Sequence, residues 1–312
     1  MMRADRHCRL CLGTDIGDTG LLALDHESGD LLRVFECRDC TGRFIAEIPS
    51  FIDKVQTDQA GTFDAPERRE AQRAHFAAKK TADEHDYPYS LIPLVRRYAT
   101  GKRVLDLGCG ASQFLPLVQQ AGYEATGFEG DPARAKIARE QGVEVRSGDW
   151  SRIGECFSGR QFDCIVSDQV FEHMLDPIGT LTALREVLAS GGVVIFRFPN
   201  EGSLRRKLEL AMCRLKGSTQ PLSYFVDHWN YFNERAARRT FGAAGYEVLR
   251  VKKDLSLHGY LARRLFDPLA VHPGAARLVA RTIAKVDTNL LSNGLTVVAR
   301  RVANERVGEM AA

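Results

Sequence analysis

Two sets of residues in this 312-residue chain have the types and spacing to do chemistry. Cys8, Cys11, Cys37 and Cys40 form two Cys-x2-Cys pairs separated by 25 residues. Two thiols on each of two knuckle turns suit one tetrahedral Zn2+. Four thiolates leave that ion no open position, so such a centre is structural. Cys109, Cys156, Cys164 and Cys213 are scattered and show no such spacing. The second set is a series of acids on apolar, strand-like runs. Asp106 lies in Val104-Leu105-Asp106-Leu107-Gly108-Cys109-Gly110-Ala111-Ser112, where a strand-like segment meets two glycines one residue apart. Glycine there lets the backbone approach a ligand that a Cβ would repel. Gln113 stands where a dinucleotide fingerprint needs its third glycine, and no Gly-Lys-Ser/Thr follows. Neither an NAD loop nor a P-loop is indicated.

Glu129, followed by Gly130, ends the run from Tyr123 to Phe128. A carboxylate at that strand tip can accept from both hydroxyls of a ribose. Asp149-Trp150 follows the run at 143–147. A carboxylate beside an aromatic ring can hold an adenine, one accepting from the exocyclic amine and the other packing on the base. Asp168-Gln169 closes a buried-strand pattern that begins at Phe162.

Alternating segments must position these residues. Strands are expected at 103–107, 124–129, 143–147, 162–167, 193–198, 246–252 and 294–301, with helices at 113–121, 132–141, 177–188 and 233–244. Such alternation implies a mostly parallel α/β sheet covered on both faces. Its ligands bind beyond the carboxyl ends of the strands, where Asp106 to Gly110 and Asp168 to His173 fall. Residues 1–50 read as a small metal ribbon with strands at 31–35 and 43–48. Residues 51–99 read as a linker and helical cap, with helices at 66–85 and 90–98. Residues 100–302 form the main domain, with an insertion at 200–232, and 303–312 a frayed tail. No internal repeat is evident.

The glycine loop, the second-strand acid and the acid after strand three, in this order, resemble the class I S-adenosylmethionine (SAM)-dependent methyltransferases over roughly residues 90–300. The resemblance implies a Rossmann-like seven-stranded sheet, mostly parallel with an antiparallel last strand between strands five and six. It implies that Asp106, Gly108, Cys109 and Gly110 meet the methionine part of SAM, with Asp168 and Gln169 lining the same side. Glu129 and Gly130 would take the ribose, and Asp149 and Trp150 the adenine. Ser112 departs from the pattern, because the family usually has a third glycine there.

The stretch from Val170 to Pro177 resembles one found after strand four in many small-molecule methyltransferases. His173 is therefore a candidate general base, since imidazole titrates near neutral pH. The other reading has it hold the start of the next helix. His228-Trp229-Asn230-Tyr231-Phe232 is similar to an element in which a histidine closes the cleft and faces the acceptor. The other reading is a clasp that packs Trp229 and Phe232 on the sheet. Methyl transfer from a sulfonium is an in-line displacement in which the protein mainly aligns the reactants. A base is needed only where the acceptor must lose a proton.

By this resemblance the chain is an enzyme that methylates a small-molecule acceptor of sugar, phenolic or polyketide type, at oxygen. Sugar C- or N-methylation, RNA methylation and a SAM-binding scaffold without turnover are the alternatives. A formal net charge of +3 argues against bulk nucleic-acid binding, and no Asn-Pro-Pro-Tyr motif is present. Arg205, Arg206, Lys207, Arg214 and Lys216 alternate with Leu204, Leu208, Leu210, Met212 and Leu215 in an amphipathic basic helix. It reads as a solvated face, with contact to an anionic acceptor or a membrane surface as the second reading. No run reaches the ~20 apolar residues of a membrane span. No apolar signal core accompanies Arg3, Asp5, Arg6 and His7, so the expected compartment is the cytosol.

Overall fold

The computed structural model describes residues 7–24, 29–45, 89–112, 114–221, 224, 228–254 and 294–302. The expected linker at 51–65, the helix at 66–85, Gln113 and the tail from 303 lie outside the described residues. The elements begin with β1 (Ile16–Leu24), β2 (Leu31–Cys37) and β3 (Arg43–Ile45). There follow α1 (Ile92–Tyr98), β4 (Arg103–Leu107), α2 (Leu115–Gln120), β5 (Glu124–Glu129), α3 (Pro132–Glu140) and β6 (Glu144–Ser147). Next come α4 (Ile153–Cys156), β7 (Phe162–Asp168), α5 (Pro177–Val187), β8 (Leu188–Pro199) and α6 (Leu204–Leu215). The described elements close with β9 (Asn230–Tyr231), α7 (Glu234–Ala243), β10 (Tyr246–Asp254) and β11 (Gly294–Arg301).

Seven strands form the main sheet in the order β10-β11-β8-β7-β4-β5-β6. β11 runs antiparallel to both β8 and β10, while the β4, β5, β6, β7 and β8 pairings are parallel. The central strands are apolar on both faces, as a covered parallel sheet demands. Successive residues point to opposite sides. Leu105, Ile165 and Val194 therefore enter one core with Phe171 and Phe196, and Val104, Val166 and Ile195 enter the other with Phe114 and Val118. Side-chain caps fix where the covering helices start. Asp131 accepts from Ala133 N–H ahead of Pro132, Asp176 from Gly179 N–H, and Asn233 from Ala236 N–H.

A second sheet has the order β1-β2-β3-β9 and is antiparallel throughout. β1 was not expected from the sequence. A register shift between Asp18 and Leu21 breaks its alternation, and Gly17 and Gly20 weaken its pattern. β9 comes from the far end of the insertion. One core joins the two sheets: Cys8, Leu10, Cys37, Cys40 and Phe44 pack in the same cluster as Phe171, Phe232, Ala236 and Phe241. Thr240 Oγ1 donates to the Leu10 carbonyl at 2.6 Å, and Asn233 Nδ2 to the Thr41 carbonyl at 2.6 Å.

The amphipathic helix expected in the insertion is α6. It buries Leu210 and Cys213 and leaves Leu208, Met212 and Leu215 exposed. One basic residue departs from the expected solvated face. Arg206 is turned inward, 2.8 Å from Glu201 and 3.0 Å from Glu209. Among the described residues no helix is long and apolar enough to cross a membrane.

Candidate active site and metal centre

The four N-terminal cysteines converge. Cys8 Sγ lies 3.8 Å from Cys40 Sγ, and Cys11 Sγ lies 3.6 Å from Cys37 Sγ. Zn–S bonds of about 2.3 Å in a tetrahedron put sulfurs about 3.8 Å apart, so the four thiols fit one Zn2+. Two matching turns create this geometry. Cys8-Arg9-Leu10-Cys11-Leu12-Gly13 and Cys37-Arg38-Asp39-Cys40-Thr41-Gly42 share one backbone path. Leu12 and Thr41 both have positive φ, +64° and +59°. Leu12 N–H donates to Cys8 O and Thr41 N–H to Cys37 O, each at 2.7 Å. Cys8 N–H donates to Gly13 O and Cys37 N–H to Gly42 O. A short repeat is thus present that the sequence reading did not find. Its signal is Cys-Arg-x-Cys-x-Gly, with only three residue types in common.

The acids gather at the carboxyl ends of four neighbouring strands. Asp106 sits inside β4, only 3% exposed, and its Oδ2 is buried with no hydrogen-bond partner among the described residues. Burial holds its carboxyl well above the usual carboxylate range, and the charges of Asp168 and Glu129 push it the same way. Gly108 follows with φ +77°, and a Cβ there would lie 2.5 Å from Val170 Cγ2. Its N–H donates to Phe128 O at 2.8 Å, which ties the loop to β5. Cys109 is buried, and burial raises its thiol. Ser112 is 2% exposed and takes φ +65°, the left-handed conformation that the missing glycine would adopt freely.

Glu129 ends β5 and fastens the loop from the other side. Its Oε2 accepts from Gly110 N–H at 2.8 Å and its Oε1 from Asp131 N–H at 3.0 Å. Burial raises this carboxyl too, opposed by those two amides. The edge of Trp150 covers Gly130, where a Cβ would come within 3.0 Å of the ring. Trp150 also packs edge-on against Phe128 at 5.2 Å. Asp149 is exposed and accepts from both Ser151 N–H and Ser151 Oγ at 2.8 Å, which lowers its carboxyl. Asp168 ends β7 in a two-point ion pair with Arg197 of β8, Nη2 to Oδ2 at 2.9 Å, and Arg197 Nη1 reaches Ser90 Oγ at 3.0 Å. Arg197 was missed in the sequence; it stands mid-strand among apolar residues, and that was its signal. Gln169 is exposed with φ +54°.

The two histidines meet. His173 and His228 stack edge to face with centroids 4.7 Å apart. The segments carrying them are clamped together. Asn230 Nδ2 donates to Met174 O at 2.6 Å and to Glu172 O at 3.3 Å, and Phe171 stacks on Phe232 at 5.2 Å. Glu172, also missed, is a buried acid beside His173.

Buried negative charge without a paired cation is costly. The unpartnered Asp106 oxygen, beside two further carboxylates and the glycine loop, therefore suits a ligand with cationic groups, and SAM carries a sulfonium and an ammonium. A Rossmann-like sheet whose last strand is reversed and set between its two predecessors, with such a loop, defines the class I SAM-dependent methyltransferases. Residues 84–251 match the family model of a methyltransferase domain, more than half of the chain, and the chain belongs to that family.

Similar proteins include an enzyme named ubiquinone biosynthesis O-methyltransferase from Ruegeria sp. (strain TM1040). It is 35% identical over 99 residues, 30% of this chain and 40% of that protein. A protein of the same name from Nitrosococcus oceani is 31% identical over 120 residues, 36% of this chain and 50% of that one. The chain thus spans half or less of the length of these curated relatives. Among solved structures, a chain from the complex between the Haloferax volcanii Trm112 methyltransferase activator and a methyltransferase superposes with a TM-score of 0.53. It covers 78% of this chain and 98% of that chain at 16% identity, a likeness of fold alone.

Proposed function

We propose that this enzyme moves a methyl group from SAM to an oxygen of a small-molecule acceptor. The unpartnered, buried oxygen of Asp106 under the glycine loop carries the reading. Asp106 takes the cationic methionine end, with Gly108, Cys109 and Gly110 offering backbone and Asp168 and Gln169 lining that side. Glu129 and Gly130 take the ribose, and Asp149 and Trp150 the adenine. When bound, SAM supplies an activated methyl group. The protein's work is then to hold the acceptor oxygen in line and keep water from the reacting atoms.

His173 follows the carboxyl end of β7, His228 precedes β9 at the far end of the insertion, and the two meet the acceptor. A hydroxyl must lose its proton as it is methylated, and this pair governs that loss. The names of the curated relatives support oxygen as the atom methylated. Sugars, phenols and polyketide-type compounds are the acceptors to screen. Zn2+ on Cys8, Cys11, Cys37 and Cys40 has a structural part, since the sulfurs close its coordination.

Calorimetric titration with SAM and S-adenosylhomocysteine, with NAD as control, tests the reading. Binding of the first two and not the third supports it and justifies the acceptor screen. No binding of either removes it. Binding with no turnover across the screen favours a SAM-dependent scaffold.

A further inference from the structure

We infer that Glu172, His173 and His228 form a second metal site, for a divalent transition ion, on the acceptor side of the sheet. One ligand atom from each of these side chains lies within 4.8 Å of the others. His173 Nε2 is 3.9 Å from Glu172 Oε1, and the two imidazoles lean edge to face at 4.7 Å between centroids. Ligand atoms around one such ion stand roughly 3–4 Å apart, given bonds of about 2.0–2.2 Å. Small side-chain rotations would close the set.

Three features separate this group from a chance cluster. Glu172 is 1% exposed, and a carboxylate so deeply placed is stabilised by a dication beside it. The two imidazoles are half-buried, so ions and acceptors reach the group from outside. The backbone is held from both sides. Asn230 bonds the carbonyls of Glu172 and Met174, and Phe171 stacks on Phe232, so the turn with Glu172 and His173 is fixed against the segment that brings His228. Ligands set by packing and hydrogen bonds are what a metal site requires.

The donor set points to the ion. Two imidazoles and one carboxylate suit Zn2+, Co2+, Mn2+ or Fe2+ over Mg2+ or Ca2+, which prefer all-oxygen shells. Three protein ligands leave open positions, unlike the four-cysteine centre. An acceptor with two neighbouring oxygens can fill them. A coordinated hydroxyl loses its proton more readily, and that proton passes to solvent. The oxygen then bonds to the methyl carbon as the S–CH3 bond breaks, its electron pair staying on sulfur. No electrons pass to or from the ion. The inference rests on the proposed function only for where the acceptor lies.

Co2+ titration of the metal-free full chain, followed by absorption, tests it. The four-cysteine centre gives intense thiolate-to-cobalt bands, whereas a nitrogen and oxygen site gives weak visible bands alone. The expected result is saturation of the thiolate bands at one equivalent and growth of the weak bands through a second. Glu172→Gln and His228→Ala should each abolish the second phase and keep the first, with SAM affinity unchanged as evidence of folding. 1,2-Dihydroxybenzene should shift the weak bands of the wild type. A wild-type spectrum complete at one equivalent overturns the inference, as does a second phase that persists in both variants. SAM binding is measured separately, so loss of the methyltransferase reading and loss of the metal site give different results.

Discussion

Arg43 and Glu201 stand 158 residues apart in sequence, yet Arg43 Nη1 lies 2.7 Å from Glu201 Oε1. The same guanidinium donates to Tyr224 Oη at 3.0 Å and to Glu36 at 2.7 Å, and Arg206 holds the other Glu201 oxygen. β3 is thereby bonded to the start of the insertion. Glu201 is 5% exposed, so removing Arg43 strands much of a buried charge. Arg43→Met should cost about 3 kcal/mol in urea unfolding. Adding Glu201→Gln should restore part of that loss. Additive losses in the pair of variants would contradict the direct coupling.

The Asp106 and Glu129 carboxyls are both raised by burial. Folded, they keep their protons to higher pH than unfolded. Their contribution is therefore most favourable below the ordinary carboxylate range and is lost as pH rises through the raised values. A bound cation reverses that loss. The rise in Tm on adding saturating SAM should grow as the pH rises above the ordinary carboxylate range and through the raised values. A rise that does not change with pH would take Asp106 away from the cationic end of the ligand.

Ser112 holds a left-handed backbone with a buried hydroxyl that meets no partner among the described residues. Ser112→Gly relieves the strain and forfeits no hydrogen bond in the described structure. Stability should increase by about 0.5–1 kcal/mol, read from the urea midpoint. A destabilised variant would mean that the hydroxyl has a role in the loop.

Glu129 joins the glycine loop to β5 and is the residue proposed to take the ribose. Glu129→Ala should weaken SAM binding by about 1–3 kcal/mol, the usual loss when a charged hydrogen-bond partner is removed. Calorimetry on the folded variant decides it, and wild-type affinity would refute the ribose role.

Cys8→Ser with Cys37→Ser takes one sulfur from each knuckle. Bound zinc should disappear and the midpoint of unfolding should fall, while SAM affinity stays close to wild type. Zinc content unchanged by inductively coupled plasma analysis would exclude the four-sulfur centre.

The sequence made the main sheet legible because its strands are short apolar runs bounded by glycine and proline, a local property. Asp106, Glu129 and the cysteine pairs were legible for the same reason: each sits at a fixed offset from a recognisable turn. What stayed hidden is non-local. β9 has two residues, too few for any periodicity, and exists because β3 offers it an edge. Arg197 reads as an interruption of an apolar strand until Asp168 is seen beside it. Glu172 looks like the first acid of a turn, and the chain's return at 228–232 is what brings His228 and Asn230 to it. Arg206 belonged by spacing to a solvated stripe, and Glu201 drew it inward.

The borrowed fourth strand has a consequence for how the molecule is made. Residues 16–45 leave the ribosome long before Asn230–Tyr231. The two knuckles can close on a metal ion early, since each is a local turn. The sheet they carry gains its last strand, and the core its Phe232, only after most of the parallel sheet has been synthesised. Pairings of such high sequence separation form slowly. Until then the edge of β3 and the inner face of Phe44 stay open to wrong partners. A sheet translated before the parallel one is thus completed after it, and a metal ion on the proposed four-cysteine centre would act as a placeholder that keeps it folded until its partner arrives.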